Sequence, residues 1–239
     1  MKVLTYNIKG ETRDFFTNRW TLVGQAVTQI DPDIIFFQEY GMITDYRTPL
    51  KNEYLNDYNL IGSFNRCKIF AKNGTCYPIH TPTVNDTYQY ENLLFPFYNI
   101  VLVEVPNVGQ RLFVNVHLSV HGYKYNDTYR IQQISRILEY IKELGLEEVP
   151  TILGGDLNAI PGSEPYHTIL DDGFIDTRGN DSPKPYTWHG FKKAKKPKDR
   201  IDYIFTRGIE NATSYTVHSE ETAASDHFPL SVTIVNNFF

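Results

Sequence analysis

The chain of 239 residues has few cysteines, no excess of positive charge and no long apolar run. A membrane span needs roughly eighteen consecutive apolar residues, and no window approaches that length. The first residues, MKVLTYNIKGETRD, turn polar within a few positions, which is not the pattern of a secretory signal. We therefore expect a cytoplasmic protein without stable membrane association, monomeric by default.

The two cysteines, Cys67 and Cys76, lie on either side of a predicted Asn-Gly turn in CKIFAKNGTC. If that turn closes a two-residue hairpin, Cys76 pairs with Ala71 and Cys67 lies opposite His80. This spacing and the absence of a signal favour free thiols, because disulfides persist in oxidising compartments. A disulfide between the two remains the alternative.

A formal charge of −5 and a pI near 5.8 argue against a protein that coats nucleic acid through bulk positive charge. Any polyanionic substrate must meet a local positive field. The run FKKAKKPKDR places six basic residues within the nine positions Lys192 to Arg200. Substrate contact and an ordinary solvated loop are equally good interpretations of this run.

Hydrophobic residues make up 41% of the chain, which suits one large core, and no repeat or linker divides it. We therefore expect a single domain over residues 1–239.

Helical spacing of apolar residues from Trp20 to Ile30 predicts one helix. A second runs from a cap at Asn126 or Asp127 to a stop at Gly145. Residues 41–98 are predicted as loops and short strands. Seven strands are predicted, at KVLTY near the start, DIIFF (33–37), NIVLVEV (99–105), RLFVNVHLSV (111–120), VPTILG (149–154), IDYIF (201–205) and FPLSVTIV (228–235).

Polar side chains occur at or near one end of almost every predicted strand. Each of them alone is often explained by a turn that needs Asp or Asn. Together they are expected to converge at one rim if the strands share a sheet sandwich, since burying so much polarity without use is costly. These residues are Asn7, Glu39, Asn115, His117, Asp156, Asn158, Asp202, Asp226 and His227.

The residue types at these positions indicate a particular chemistry. Oxygen ligands such as Glu39 and Asn7 suit a hard cation, Mg²⁺ or Mn²⁺, whereas zinc lacks its usual cysteine or paired-histidine ligands here. Hard cations commonly serve phosphate chemistry, in which histidines orient water or support the phosphate and leaving group.

The motifs LTYN, QE, NVHL, GGDLNA, RIDYIF and SDHFPL, in this order, resemble the endonuclease/exonuclease/phosphatase superfamily of metal-dependent phosphoesterases. The resemblance extends from Asn7 to Pro229. It implies an α/β fold, a four-layer sandwich of two mixed β-sheets packed face to face with helices outside. It also implies a catalytic site at one rim.

Carried over by motif, the resemblance gives each residue a role. Metal ligands would be Asn7 and Glu39, with Asp226 near the metal. Asp156 and Asn158 would orient the attacking water and contact the phosphate. His227, oriented by Asp202, would bind phosphate or act as base.

By the same resemblance, His117 would support the phosphate or the leaving group, and Asn115 would lie near the substrate. TWHGF is a looser resemblance that brings Trp188 and His189 to the substrate side, although an ordinary loop histidine explains His189 equally well. This chain departs from the pattern at Lys9, where some nucleases carry an aspartate, which weakens a two-metal site. It also departs at YQYENLLFPFYNI, which forms the expected substrate-facing wall.

The expected function is metal-dependent hydrolysis of phosphodiester bonds by a nuclease or nucleotide phosphodiesterase. Tyr123, Tyr125, Trp188 and Phe191 are candidates for stacking on bases. One alternative is a phospholipid (sphingomyelinase-like) or inositol-phosphate hydrolase of the same superfamily, although no apolar hairpin suited to a bilayer is evident. A non-catalytic binding scaffold is the other, and it would be expected to have lost some of the site residues.

Overall fold

Two β-sheets and three α-helices make up the computed structural model, which describes residues 1–10, 19–40, 50–80, 97–120, 127–179, 186–192, 200–220 and 224–235. The helices are α1 (Arg19–Ile30), α2 (Thr128–Glu143) and α3 (Glu164–Asp171). The strands are β1 (Lys2–Asn7), β2 (Ile34–Gln38), β3 (Tyr58–Phe64), β4 (Cys67–Lys72), β5 (Tyr77–His80), β6 (Phe97–Val105), β7 (Gly109–His117), β8 (Thr151–Asp156), β9 (Ile175–Asp176), β10 (Asp202–Arg207), β11 (Ala212–Val217) and β12 (Leu230–Ile234).

Each sheet has six strands and mixes parallel with antiparallel pairs. The first has the order β11-β12-β1-β2-β4-β3, and the second β5-β6-β7-β8-β10-β9. All seven predicted strands are present, as β1, β2, β6, β7, β8, β10 and β12. Both predicted helices are present as α1 and α2, and Gly145, with a φ of 67°, follows the end of α2. The predicted four-layer α/β sandwich is confirmed, while the single domain stays a prediction.

Central strands such as β2 are mostly apolar because both faces of the sheet are covered there. In β2, Ile34 and Phe36 point into the layer between the sheets. Ile35 and Phe37, one position along, point outward and pack against α1. Alternation along one strand therefore fills two separate apolar layers.

Helices cover the outer face of both sheets through one apolar stripe each. Val23 and Val27 of α1 pack on the first sheet. Ile134 and Ile141 of α2 pack on the second sheet, where Ile169 of α3 joins them. Among the described residues, no helix has the length and apolarity that crossing a membrane requires.

The predicted hairpin around the Asn-Gly turn is wrong, because the turn connects the two sheets. β4, before the turn, pairs with β2 and β3, whereas β5, after it, pairs with β6 in the other sheet. Cys67 and Cys76 are both buried free thiols. Burial raises the pKa of both thiols, that of Cys76 to about 11.

Strand register brings the polar strand ends to the same rim. In the first sheet, Asn7 is paired with Gln38 across the parallel strands β1 and β2. In the second sheet, Asp156 is paired with His117 of parallel β7 and with Asp202 of antiparallel β10. Each of these positions has the parity of the inner layer, so their side chains face one another between the sheets.

Candidate active site

Two adjacent glycines explain how β8 delivers Asp156 to the space between the sheets. A Cβ on Gly154 would lie 2.9 Å from the ring of Phe36 in the opposite sheet. Gly155 has a φ of 143°, and a Cβ there would lie 1.9 Å from the carbonyl oxygen of Val116. Only glycine allows both close approaches. The two glycines of TILGGD therefore let β8 lie close to Phe36 of the opposite sheet and to Val116 of β7, just before the chain reaches Asp156.

Asn7 connects carboxylates from the two sheets. Its Nδ2 donates to Oε1 of Glu39 at 3.1 Å and to Oδ2 of Asp156 at 2.9 Å. Its Oδ1 accepts the backbone N–H of Lys9 at 3.0 Å. One buried amide thus fixes the relative positions of two carboxylates that come from different sheets.

Glu39 follows β2 in a left-handed conformation, with a φ of 54°. This conformation is uncommon for a residue with a Cβ and costs about 1–3 kcal/mol. The turn is held by the backbone N–H of Tyr40, which donates to the carbonyl oxygen of Arg66 at 3.0 Å. The Arg66 guanidinium lies 3.5 Å from Oε2 of Glu39. The strained turn aims the Glu39 carboxylate into the rim, with a cation beside it.

Asp156 lies at the centre of the cluster and is fully buried. Its Oδ1 accepts the backbone N–H of Asn158 at 2.8 Å. Its Oδ2 lies 3.6 Å from Nε2 of His117 and 3.7 Å from Nε2 of His227. Burial raises the pKa of Asp156, although His227 and His117 oppose the shift. A buried carboxylate in this position is stabilised by any cation that enters the site.

His227 and Asp202 form the shortest imidazole–carboxylate contact of the site. Nδ1 of His227 lies 2.9 Å from Oδ2 of Asp202, and both side chains are almost fully buried. The Thr187 hydroxyl accepts the backbone N–H groups of Ile201 and Asp202, which fixes the start of β10. Asp202 therefore holds the proton on Nδ1 and turns Nε2 toward Asp156.

The electrostatic environment favours a protonated His227. Burial opposes a charge on the imidazole, but the carboxylates of Asp202 and Asp156 outweigh it and raise the pKa of His227 to about 10. Its backbone N–H donates to the Ser225 hydroxyl, which in turn donates to the backbone oxygen of Asn7. This chain of hydrogen bonds fixes the segment before β12 against the end of β1.

Asn158 is placed in the site by its backbone and its amide. It has a φ of 49°, which asparagine tolerates better than most residues. Its Nδ2 donates to the carbonyl oxygen of Leu118 at 2.9 Å. Asn158 thus stays beside Asp156 at the end of β8, as the sequence predicts.

Asn115 lies deeper than a substrate-contacting residue would. It is fully buried, and its Nδ2 donates to the backbone oxygens of Phe37 and Lys68 in the opposite sheet. Its Oδ1 accepts a hydrogen bond from Nε2 of Gln38 at 2.7 Å. Asn115 is therefore a polar link between the sheets beneath the site, and this geometry does not support the predicted substrate contact.

Asp226, one residue before His227, is paired with two other side chains at the rim. Its Oδ2 accepts hydrogen bonds from Nζ of Lys9 at 2.9 Å and from Nε1 of Trp188 at 3.4 Å. Burial disfavours the charge on Asp226, but His227, Lys9 and Trp188 outweigh it and lower the pKa of this carboxyl. Trp188 therefore contacts Asp226 through its indole N–H at the edge of the site.

His189 is packed rather than open to the site. The residue is 6% exposed, and its ring stacks on Phe228 with centroids 4.4 Å apart. Burial lowers the pKa of His189, which keeps the imidazole neutral. The alternative of an ordinary loop histidine describes this environment better than a substrate-binding role.

The basic run, for which a substrate contact and a solvated loop are equally good interpretations from the sequence, is described only at its ends. Arg200 is 4% exposed and forms an ion pair with Asp176 beneath the surface. Arg200 therefore matches neither of the two interpretations that the sequence left open for the run, a substrate contact or a solvated loop. The side chains of residues 192–199, and Tyr123, Tyr125 and the YQYENLL part of the predicted substrate-facing wall, lie outside the described residues.

Two residues with important contacts in the site were not predicted from the sequence as site residues. In the sequence Lys9 is only a departure from the family pattern, and Arg66 lies in the stretch predicted as loops and short strands. Lys9 and Arg66 each bring a positive charge to a carboxylate, that of Asp226 and that of Glu39. Both contacts join segments that are distant in the chain. The signal available in the sequence was only that Lys9 stands two positions after Asn7.

The donor set fits a hard divalent cation. Glu39 and Asp156 place oxygens within 3.1 Å of one amide nitrogen of Asn7, and Asp156 carries its charge in a fully buried position. Oxygen donors without a thiolate suit Mg²⁺ better than zinc. Asp156, Asp202 and His227 also offer atoms within 4.8 Å of one another. His227 donates to Asp202, however, so that pair works as an oriented imidazole rather than a ligand pair.

A sequence profile described as the Endonuclease/Exonuclease/phosphatase family matches residues 4–227. Among characterised proteins, a 5′-tyrosyl-DNA phosphodiesterase of Caenorhabditis briggsae is 22% identical over 98% of this chain and 69% of its own length.

Solved structures show the same fold. A mannosyl-6-phosphatase of Bacteroides thetaiotaomicron has a TM-score of 0.79 at 22% identity, over 98% of this chain and 99% of its own. Truncated TDP2 of Caenorhabditis elegans has a TM-score of 0.76 at 18% identity, over 98% of this chain and 96% of its own. These structures confirm the arrangement of the two sheets and the helices outside them.

Proposed function

The chain belongs to the endonuclease/exonuclease/phosphatase family of divalent-metal-dependent phosphoesterases, and from this premise we propose that it hydrolyses phosphodiester bonds in nucleic acid or a nucleotide. The observation that carries the proposal is the position of Asp156. Its carboxylate lies between the Asn7–Glu39 pair and the imidazoles of His117 and His227. A phosphate bound there meets a cation site on one side and an oriented imidazole on the other.

We propose that Glu39, with Asn7 and Asp156, holds Mg²⁺ or, failing that, Mn²⁺. The bound ion would supply positive charge against the phosphoryl oxygens as negative charge grows on them. Asp226, predicted as a ligand from its motif, accepts a hydrogen bond from the Lys9 ammonium. The chain's own residues supply the remaining steps.

Asp156 accepts a hydrogen bond from the attacking water and orients it toward phosphorus, with Asn158 contacting the same phosphate. The raised pKa of His227 favours an imidazolium whose Nε2 proton bonds a phosphate oxygen. Asp202 keeps that imidazole in one orientation by accepting the Nδ1 proton. His117, whose Nε2 lies 3.6 Å from Oδ2 of Asp156, supports the phosphate or the leaving group.

We favour the phosphodiester of a nucleic acid over other esters because the 5′-tyrosyl-DNA phosphodiesterase of Caenorhabditis briggsae resembles 98% of this chain. A phospholipid or inositol-phosphate substrate remains the second candidate from the sequence. The mannosyl-6-phosphatase shares the fold, which adds a sugar phosphate monoester to the substrates to be tested. A pure binding scaffold would not need the His227–Asp202 pair beside a buried carboxylate.

The test is hydrolysis by the purified protein with Mg²⁺, Mn²⁺ or EDTA, of DNA and RNA in single and double strands, a 5′-phosphotyrosyl oligonucleotide, sphingomyelin, an inositol polyphosphate and a hexose 6-phosphate. Asp156→Asn runs in parallel to exclude contaminating enzymes. Metal-dependent cleavage of a nucleic acid by the wild type alone supports the proposal. Cleavage confined to the lipid, the inositol compound or the sugar phosphate refutes it and names the alternative.

A further inference from the structure

The ammonium of Lys9 brings a positive charge into the site. Nζ of Lys9 lies 2.9 Å from Oδ2 of Asp226, in the segment immediately before His227. The Lys9 side chain is 30% exposed and that of Asp226 is 10% exposed. The Lys9 side chain is therefore more accessible to solvent than the carboxylate that it pairs with.

Lys9 is held in place along its backbone. It has a φ of 45°, a conformation that an unrestrained lysine rarely adopts. The side chain of Asn7 accepts its N–H at 3.0 Å, and the Arg19 guanidinium donates to its carbonyl oxygen at 2.7 Å. Arg19 also donates to the carbonyl oxygen of Ala224, two residues before Asp226. One arginine thus ties both members of the ion pair together.

Because Lys9 pairs with Asp226, this carboxylate already has a positive partner without a metal ion. A carboxylate buried at a phosphate site requires a positive partner, and a metal ion is one way to supply it. Here the Lys9 ammonium supplies that charge directly. Because Asn7 also contacts Glu39 and Asp156, Lys9 stands at the same rim as the proposed metal ligands.

We propose that Lys9 is a substrate-binding residue whose ammonium, positioned by Asp226, binds a non-bridging oxygen of the substrate phosphate in place of a second metal ion. The catalytic site then binds one divalent ion, held on the Glu39 side. This inference rests on the proposed phosphoester hydrolysis. An ammonium is a compact point charge that binds phosphate oxygens well and cannot dissociate as a metal does.

The experiment compares the wild type with Lys9→Met. This change removes the charge but keeps an unbranched side chain, so the backbone strain at a φ of 45° stays similar. Lys72→Met is the matched control, because Lys72 forms an exposed ion pair with Asp31 at 2.7 Å, away from the rim. Calorimetry measures binding of Mn²⁺ alone, and then of inorganic phosphate to the metal-loaded proteins. Lys9→Gln serves as a second neutral variant if the Met variant fails to fold.

The expected result is one Mn²⁺ per chain in the wild type. Phosphate affinity should fall about tenfold or more in Lys9→Met, the loss typical of a hydrogen bond to a charged group, and stay unchanged in Lys72→Met. Two Mn²⁺ per wild-type chain, with one lost in Asp226→Asn, would overturn the proposal. So would equal phosphate affinity in the wild type and both neutral Lys9 variants.

Neither binding measurement requires turnover, so the two proposals fail in different ways. Loss of phosphate affinity in Lys9→Met, in a protein that cleaves no phosphoester, would refute the proposed function and keep the role of Lys9 in binding. Undiminished phosphate affinity in a Lys9 variant of an active enzyme would refute the role of Lys9 alone.

Discussion

Nδ1 of His227 donates to Oδ2 of Asp202 across 2.9 Å, which joins the segment before β12 to the start of β10. The two residues are 25 positions apart in the chain. Asp202 begins β10 of the second sheet, whereas His227 comes just before β12 of the first sheet. Asp202 fixes which nitrogen carries the proton and supports a positive charge on the ring. The catalytic behaviour of His227 is therefore expected to depend on a residue that does not touch the substrate.

Asp202→Asn should lower the pKa of His227, because the carboxylate that outweighs the burial of the imidazole is gone. Nitrogen-detected NMR of the imidazole as a function of pH measures this directly. The rate of hydrolysis should fall about 10²- to 10⁴-fold, the usual value of positioned proton transfer. An unchanged His227 pKa in the variant would show that Asp202 does not control the ring.

The same pair gives stability a pH dependence with a definite sign. The folded-state pKa of His227 is raised to about 10 from an ordinary 6.5, so its stabilising contribution is fully present below about pH 6.5 and is lost as pH rises through 10. The free energy of unfolding of the wild type relative to Asp202→Asn should shrink over that window. Urea denaturation at several pH values checks it, and a constant difference would contradict it.

Asp156→Asn should abolish turnover and leave the fold intact or more stable. Burial raises the pKa of Asp156, which means that the charged form is disfavoured where it lies, and a neutral amide of the same shape removes that penalty. Activity should fall at least about 10²-fold, with a thermal midpoint equal to or above that of the wild type. Asp171→Asn, at an exposed position at the end of α3, is the control and should change neither.

Glu39→Ala should raise the Mg²⁺ concentration needed for half-maximal activity more than it lowers the rate at saturating metal. The reason is that the carboxylate contributes to metal binding through a site that Asn7 and Asp156 also line. Metal titration of activity and Mn²⁺ calorimetry both measure the change. Glu104→Ala, on the exposed side of β6, should behave as wild type, and an unaltered metal requirement in Glu39→Ala would exclude Glu39 as a ligand.

Gly155→Ala should be far more damaging than Gly74→Ala. Both glycines have a positive φ, which strains an alanine at either position. At Gly74 the new methyl meets open space, whereas at Gly155 it would lie 1.9 Å from the backbone oxygen of Val116. Thermal unfolding should show a small shift for Gly74→Ala and a large one with lost activity for Gly155→Ala; equal shifts would contradict the packing argument.

The prediction of elements succeeded where apolar periodicity was strong and failed where pairing was non-local. β2 (IIFFQ) and β8 (TILGGD) are buried along their whole length, and the apolar residues in each predict a buried strand. The hairpin expected at Cys67 and Cys76 followed a local turn signal, which cannot tell whether the next strand returns to the same sheet. The chain crosses to the other sheet at that turn because β5 finds its partner in β6.

The sequence by itself determined the order of the motifs, the apolar strands and the polar residue at the end of each, because these depend on residues close together in the chain. It also indicated a hard cation, since oxygen donors are visible in composition and spacing. Only the tertiary structure decided that Asn115 links the sheets, that Arg200 is buried with Asp176, and that Lys9 reaches Asp226. Those outcomes depend on which distant side chains of opposite charge or matching hydrogen-bonding groups meet when two sheets pack, and strand register decides that.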